Sequence, residues 1–123
     1  MADKKLILFA DDDELICDLF TFALDSAGFS VVTAHDVKTI LQKIEEKKPD
    51  IMLLDLTLGD ESAVNVLKQM KNADLPVIML SGYNMEQLKE EGVTEYKCVK
   101  DCLTKPISPD IVIDKVKEIL GLK

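Results

Sequence analysis

Four polar positions stand out in the 123-residue chain because each follows an apolar run. Asp11-Asp12-Asp13 comes directly after Leu6-Ile7-Leu8-Phe9-Ala10, and Asp55 after Ile51-Met52-Leu53-Leu54. Ser81 follows Val77-Ile78-Met79-Leu80, and Lys105 closes the stretch from Cys98 to Thr104. Three adjacent carboxylates repel one another unless a cation neutralises them. Hard oxygen donors suit Mg²⁺, which keeps several waters and needs only one or two protein carboxylates. The plain alternative for Asp12 or Asp13 is a helix cap, where acidic residues also favour the dipole. A lone aspartate after a strand is usually a turn residue. If the first and third strands are neighbours, however, Asp55 faces Asp11 and Asp12 across a small cleft, an arrangement with no use as a stability device. Ser81 offers a hydroxyl, and Gly82 behind it lets backbone approach a ligand closely. Lys105 can place a point charge on a phosphoryl group. The peptide before Pro106 is a candidate for the cis form, which needs a tertiary reason. Together the set suits phosphoryl transfer to a carboxylate. One aspartate accepts, a divalent ion offsets charge, Ser81 and Lys105 hold the phosphoryl oxygens, and an aspartyl phosphate results.

Such a set works only if strands deliver its members to one edge. Leu6 to Ala10 reads as a strand buried on both faces. Glu14 to Ala27 carries Leu15, Ile16, Leu19, Phe20, Ala23, Leu24 and Ala27 at helical spacing, with Gly28 as its stop. Phe29 to Ala34 is a second strand, and Asp36 caps a helix over Val37 to Lys48 that ends before Pro49. Ile51 to Leu54 is the third strand, and Glu61 to Asn72 reads as a helix. Strand four is Val77 to Leu80, a short polar helix spans about Asn84 to Glu91, and strand five lies within Cys98 to Thr104. Ser108 caps the last helix, Pro109 sits in its first turn, and Gly121 closes it. Five strands alternating with five helices predict an α/β, doubly wound parallel sheet covered on both faces. In such sheets ligands bind at the carboxyl ends of the strands, near the point where strand order reverses.

Composition limits the partners. Acidic residues (23) outnumber basic ones (15), for a net charge of −8. A domain this acidic is repelled by phosphate backbones, so direct nucleic-acid binding is not expected. No apolar run reaches the length of a membrane span, and the apolar stretch after Lys5 is too short for a secretory signal. A cytoplasmic protein without membrane contact is expected. Cys17, Cys98 and Cys102 have neither zinc nor redox spacing and read as reduced core fillers. The single histidine, His35, reads as a solvated loop residue, and Ile107 and Ile111 as core.

At this point the chain resembles the receiver domain of two-component response regulators. The resemblance rests on LILFADDDEL (6–15), PDIMLLDLTL (49–58), PVIMLSG (76–82) and LTKPIS (103–108) and covers essentially residues 1–123, leaving no room for an output domain. It implies a flavodoxin-like fold with strand order 2-1-3-4-5. It implies that Asp11 and Asp12 hold Mg²⁺, that Asp55 is the phosphoacceptor and a metal ligand, and that the backbone carbonyl of Thr57 completes the metal site. Ser81 and Lys105 match the residues that bond the phosphoryl group. A histidine kinase or phosphotransfer protein then supplies that group, and a downstream protein target reads the result. Receivers of this class catalyse only their own phosphorylation and dephosphorylation, and many form homodimers through the strand-five and last-helix face.

The departures from the family pattern lie in two places. Where many receivers have a proline four residues after the acceptor, with Asp-Gly shortly after it, this chain has Gly59, Ser62 and Ala63. A looser loop or another loop shape is expected there. Three residues before Lys105, the usual aromatic is Cys102, with Tyr83 and Tyr96 the available substitutes. The interval from Ser81 to Lys105 is also about two residues long for the family, so the segment from Glu91 to Lys100 is expected to be reshaped. Three other readings compete. A pseudo-receiver would dock without phosphorylation. A haloacid-dehalogenase-type phosphatase would use Asp11 as nucleophile and Asp13 as acid, but it gives Asp55 no role and lacks a later acidic cluster at a strand end. A flavin module of the same topology needs free N–H donors after strand one, where the acidic run would repel a phosphate.

Overall fold

The computed structural model describes residues 4–70 and 74–122, and of Met85 the backbone alone. The main sheet contains β1 (Leu6–Ala10), β2 (Ser30–Ala34), β3 (Ile51–Asp55), β4 (Val77–Ser81) and β5 (Val99–Thr104). All neighbours are parallel, in the order β2-β1-β3-β4-β5. Five helices alternate with them: α1 (Glu14–Ser26), α2 (Val37–Lys47), α3 (Val64–Gln69), α4 (Met85–Glu90) and α5 (Pro109–Leu120). The doubly wound architecture is the expected one. Strand order reverses between β1 and β3, so the crevice beyond their carboxyl ends is the switch point.

Alternation along the strands divides the core into two. Leu8, Met52, Leu54, Val77 and Met79 face α2 and α3, while Ile7, Phe9, Ile51, Leu53, Ile78 and Leu80 face α1 and α5. On the second face Phe9 stacks on Phe20 with ring centroids 5.0 Å apart. Fully burying a side chain of this size contributes roughly 1.5–3 kcal/mol, so these layers fix which strand ends meet. The expected caps are in place. Asp13 accepts from the Leu15 and Ile16 amides, Asp36 from Thr39, and Ser108 from Ile111. Asn84 and Gln87 form a reciprocal capping box on α4.

Two sequence expectations are corrected, and α1 shows more apolar surface than it buries. The apolar residues of α1 span too wide an arc to be buried together. Cys17, Phe20 and Leu24 face the sheet, whereas Leu15 is 79% exposed, Leu19 53% and Phe22 74%. Ile107 is half-buried against the α1 and α5 side of the core, but Ile111 is 53% exposed. The third helix does not start at Glu61. Thr57–Leu58 and Glu61–Ser62 pair as a two-residue antiparallel hairpin outside the main sheet, and α3 begins only at Val64. Asn72, its expected end, lies outside the described residues.

Two local irregularities lie between Ser81 and Lys105. Val93–Glu95 forms a 3₁₀ turn after Gly92, whose φ of +80° suits glycine. Val77 then pairs with Val99 but Ile78 with Asp101, a bulge at Lys100.

Candidate acidic site at the switch point

β1 and β3 are adjacent, with Ala10 opposite Leu54, so the residues that follow them emerge side by side. Asp11 and Asp55 are both buried there, and Asp12 is exposed at the rim. Ligating oxygens of Asp11, Asp12 and Asp55 all lie within 4.8 Å of one another. Asp13, by contrast, turns away to cap α1, with its Oδ1 2.9 Å from the Leu15 amide and 3.3 Å from the Ile16 amide. The acidic run thus divides between cap and cleft.

β5 brings in the counter-charge. Lys105 Nζ donates to Asp11 Oδ2 and to Asp55 Oδ2, each at 3.0 Å. The lysine backbone is fixed by its own N–H, which donates to the Ser81 carbonyl at 2.7 Å. The Lys105–Pro106 peptide is cis. One ammonium therefore serves two buried carboxylates. Burial, aided by the Asp11 charge, raises the Asp55 carboxyl above the usual aspartate range, and the bond to Lys105 only partly opposes this. Burial alone would lower Lys105, but its bonds to Asp55 and Asp11 outweigh that and hold the ammonium charged.

Ser81, at the end of β4, is buried, and its hydroxyl accepts from the Tyr83 amide at 2.9 Å. Thr57 is exposed in the hairpin, and its N–H donates to Asp55 Oδ1 at 3.4 Å. The loop with the unusual sequence is anchored rather than loose. Gly59, at φ +67°, donates its N–H to Asp12 Oδ2 at 2.9 Å. Glu61 Oε1 accepts from the Val37 amide at 3.3 Å, satisfying a free donor at the start of α2. Tyr83 and Glu91 border a 230 Å³ cavity against this hairpin, beside Thr57 and Glu61. Tyr96 packs, half-buried, on the same core cluster as Cys102.

Sequence reasoning missed one contact of His35. His35 is exposed, as expected, but its Nδ1 lies 2.9 Å from the Asp11 carbonyl oxygen, which ties it to the backbone at the cleft. Cys17 Sγ lies 3.5 Å from that same oxygen. The only sequence signal for this was the position of His35, directly after β2, the strand beside β1.

A cleft of three aspartates and one lysine thus sits at the switch point of a 2-1-3-4-5 parallel sheet. The chain belongs to the response regulator receiver domain family, whose model matches residues 7–117. It is a receiver domain of the two-component type, the phosphoacceptor part of a signalling system. Over 119 residues it is 37% identical to the alkaline phosphatase synthesis transcriptional regulatory protein PhoP of Bacillus subtilis, covering 95% of this chain and 49% of that protein. Over 120 residues it is 31% identical to the phosphate regulon transcriptional regulatory protein PhoB of Pseudomonas aeruginosa, covering 94% of this chain and 52% of that protein. The chain thus spans about half the length of these relatives. A two-component response regulator from Clostridium difficile superposes with a TM-score of 0.86 at 26% identity, covering 96% of this chain and 97% of that one. A CheY-like receiver domain protein from Methanospirillum hungatei gives a TM-score of 0.85 at 26% identity, covering 97% of this chain and 95% of that one.

Receiver domains bind Mg²⁺ at an acidic pocket, and the donor set here fits that ion. Three carboxylates offer hard oxygens while leaving positions for water. The phosphatase alternative fits poorly, because Asp13 is committed to its cap and Asp11 to Lys105. No described helix is long and apolar enough to cross a membrane.

Proposed function

We propose that Asp55 accepts a phosphoryl group from a histidine kinase or a phosphotransfer protein, with Mg²⁺ held by Asp11, Asp12, Asp55 and the Thr57 carbonyl. The observation that carries this reading is the meeting of Asp11, Asp12, Asp55 and Lys105 in one crevice at the ends of three different strands. An Asp55 oxygen attacks phosphorus, the bond from phosphorus to the donor atom breaks, and an acyl phosphate remains. Bound Mg²⁺ supplies charge neutralisation on the transferring group. Lys105, already 3.0 Å from Asp55 Oδ2, is within reach of an oxygen of the new phosphoryl group. The Ser81 hydroxyl accepts from Tyr83, which leaves its proton free to donate to another phosphoryl oxygen. The added charge of about −1.5 to −2 biases the loops around it and is read by a downstream protein. Catalysis is confined to the chain's own phosphorylation and hydrolysis. The reading places the protein in the cytoplasm and allows a homodimer through β5 and α5.

Intact-protein mass after incubation with acetyl phosphate and Mg²⁺ tests the assignment. The wild type is expected to gain one phosphoryl group and Asp55→Asn none. Equal labelling of the variant would move the acceptor elsewhere.

A further inference from the structure

Both backbone groups of Asp11 are tied to the end of β2. Its N–H donates to the Ala34 carbonyl at 3.2 Å, and its own carbonyl lies 2.9 Å from His35 Nδ1. A carbonyl can only accept, so this bond requires the proton on Nδ1. The side chain of Asp11 is also engaged, with Oδ1 accepting from the Asp13 amide at 3.0 Å and Oδ2 accepting from Lys105. We propose that His35 is a positioning residue for the acidic cleft, its Nδ1–H fixing the Asp11–Asp12 peptide so that both carboxylates stay aimed at one point. The inference rests on the reading of Asp11 and Asp12 as metal ligands.

The Asp11 carbonyl and the Asp12 amide form a single rigid plane. A turn about the Asp11 Cα–C bond moves that plane and carries the Asp12 side chain with it, while the Asp11 N–H stays bonded to Ala34. Repulsion among three carboxylates within 4.8 Å of one another favours a turn that moves Asp12 away from the other two. A bond to the plane's oxygen opposes it. Cys17 Sγ, 3.5 Å from that oxygen, makes a longer and weaker contact than His35 at 2.9 Å. Outer partners of this kind orient metal ligands, and their loss weakens metal affinity about 10–100-fold. A merely solvated histidine would be replaceable by any polar residue. The geometry demands a donor at the Nδ1 position, which the amide of asparagine reproduces and the longer glutamine does not.

The test measures Mg²⁺ affinity by calorimetry on the full chain for wild type, His35→Ala, His35→Asn and His35→Gln, with urea unfolding alongside. His35→Ala is expected to weaken Mg²⁺ binding about tenfold, the low end for such a contact because it acts through backbone. His35→Asn is expected to return within about threefold of wild type, since it keeps one comparable hydrogen bond. His35→Gln is expected to resemble His35→Ala. Unchanged affinity in His35→Ala, or equal recovery by Gln and Asn, overturns the proposal while leaving the metal site standing. Absence of Mg²⁺ binding by the wild type overturns the metal-site reading and the proposal with it.

Discussion

Asp55→Asn is expected to make the metal-free domain more stable. Asp55 and Asp11 are buried with their ligating oxygens no more than 4.8 Å apart. At an effective dielectric of about 20, two unit charges at that distance repel by about 3.5 kcal/mol. Exposed Asp12, in a more water-like setting, adds about 1 kcal/mol. Lys105, at 3.0 Å, attracts Asp55 by about 5.5 kcal/mol on the same scale. These contributions nearly cancel, so burial decides, and burial disfavours the charged form. The raised Asp55 carboxyl has that origin. Asparagine keeps the shape and an oxygen for Lys105 but removes the charge. A gain of about 1–2 kcal/mol is expected, in the range of relieved functional sites, which raises the melting temperature by roughly 3–8 °C. Mg²⁺ reverses the order. At about a hundredfold excess over its Kd a ligand adds about 2.7 kcal/mol, and the variant, short of one carboxylate, gains less. The pH dependence follows from the raised carboxyl. A folded pKa above the ordinary 3.8 means that the folded state holds the Asp55 proton more tightly. That contribution is fully present below 3.8 and is lost as pH rises through the folded value. The advantage of Asp55→Asn is therefore full at neutral pH and shrinks toward acid. Thermal and urea unfolding in chelator, then in Mg²⁺, measure all three effects. A variant less stable than wild type in chelator at neutral pH would refute the reasoning, because pairing with Lys105 would then outweigh burial and repulsion.

Lys105→Ala leaves two buried carboxylates without their ammonium and is expected to cost about 1–3 kcal/mol, below the usual range for a broken buried pair because the lysine side chain is 30% exposed. Adding Asp55→Asn is expected to recover part of that loss, and a double-mutant cycle showing no coupling would contradict the shared contact. Gly59→Ala is expected to cost about 1–2 kcal/mol through its left-handed backbone alone, since the added carbon would sit at an ordinary 3.9 Å from Asp12 Oδ2. A urea midpoint equal to wild type would contradict this. Burial and the charges of Asp11, Asp18 and Asp13 push the Cys17 thiol up to about 12. Alkylation followed by peptide mass mapping is therefore expected to leave Cys17 unlabelled in the native protein at a pH of about 8.5, where an ordinary thiol reacts.

Much of this was legible because it is written in periodicity. The buried runs Leu6 to Ala10 and Ile51 to Leu54 announce parallel strands, and their terminal aspartates announce the crevice. The caps at Asp36, Ser108 and Gly121 were equally plain. The choice between Asp12 and Asp13 as cap was not. Both types suit the position, and only the geometry of the chain after β1 assigns Asp13 to α1 and Asp12 to the cleft. The hairpin was misread because Glu61 looks like an acidic first turn of a helix. The two-residue spacing of buried Leu56 and Leu58 around Thr57 was the available strand signal. His35 left no trace beyond its place directly after β2, since a bond from a side chain to a backbone oxygen 24 residues away follows no sequence pattern. The exposure of Leu15, Leu19 and Phe22 was hidden for a simpler reason. Apolar type marks what can be buried, and α1 offers more of it than one sheet face can cover.

The departures after Asp55 gain meaning once the hairpin is placed. Gly59 gives its N–H to Asp12 at 2.9 Å, and Glu61 takes the Val37 amide at 3.3 Å. Ala63 N–H donates to the Leu56 carbonyl at 2.7 Å and closes the loop at its base. A proline at position 59 would lack the N–H that Asp12 receives and could not adopt φ +67°. The sequence thus exchanges a rigid residue for a bond to a carboxylate of the acidic cleft. Asp12 has two oxygens, and Oδ2 can keep Gly59 while the other faces a cation. At the opposite end Thr57 N–H bonds Asp55 Oδ1 at 3.4 Å. The hairpin is therefore tied to the cleft at two carboxylates and to α2 at a third, so a change of charge at Asp55 acts directly on the backbone of the loop above it.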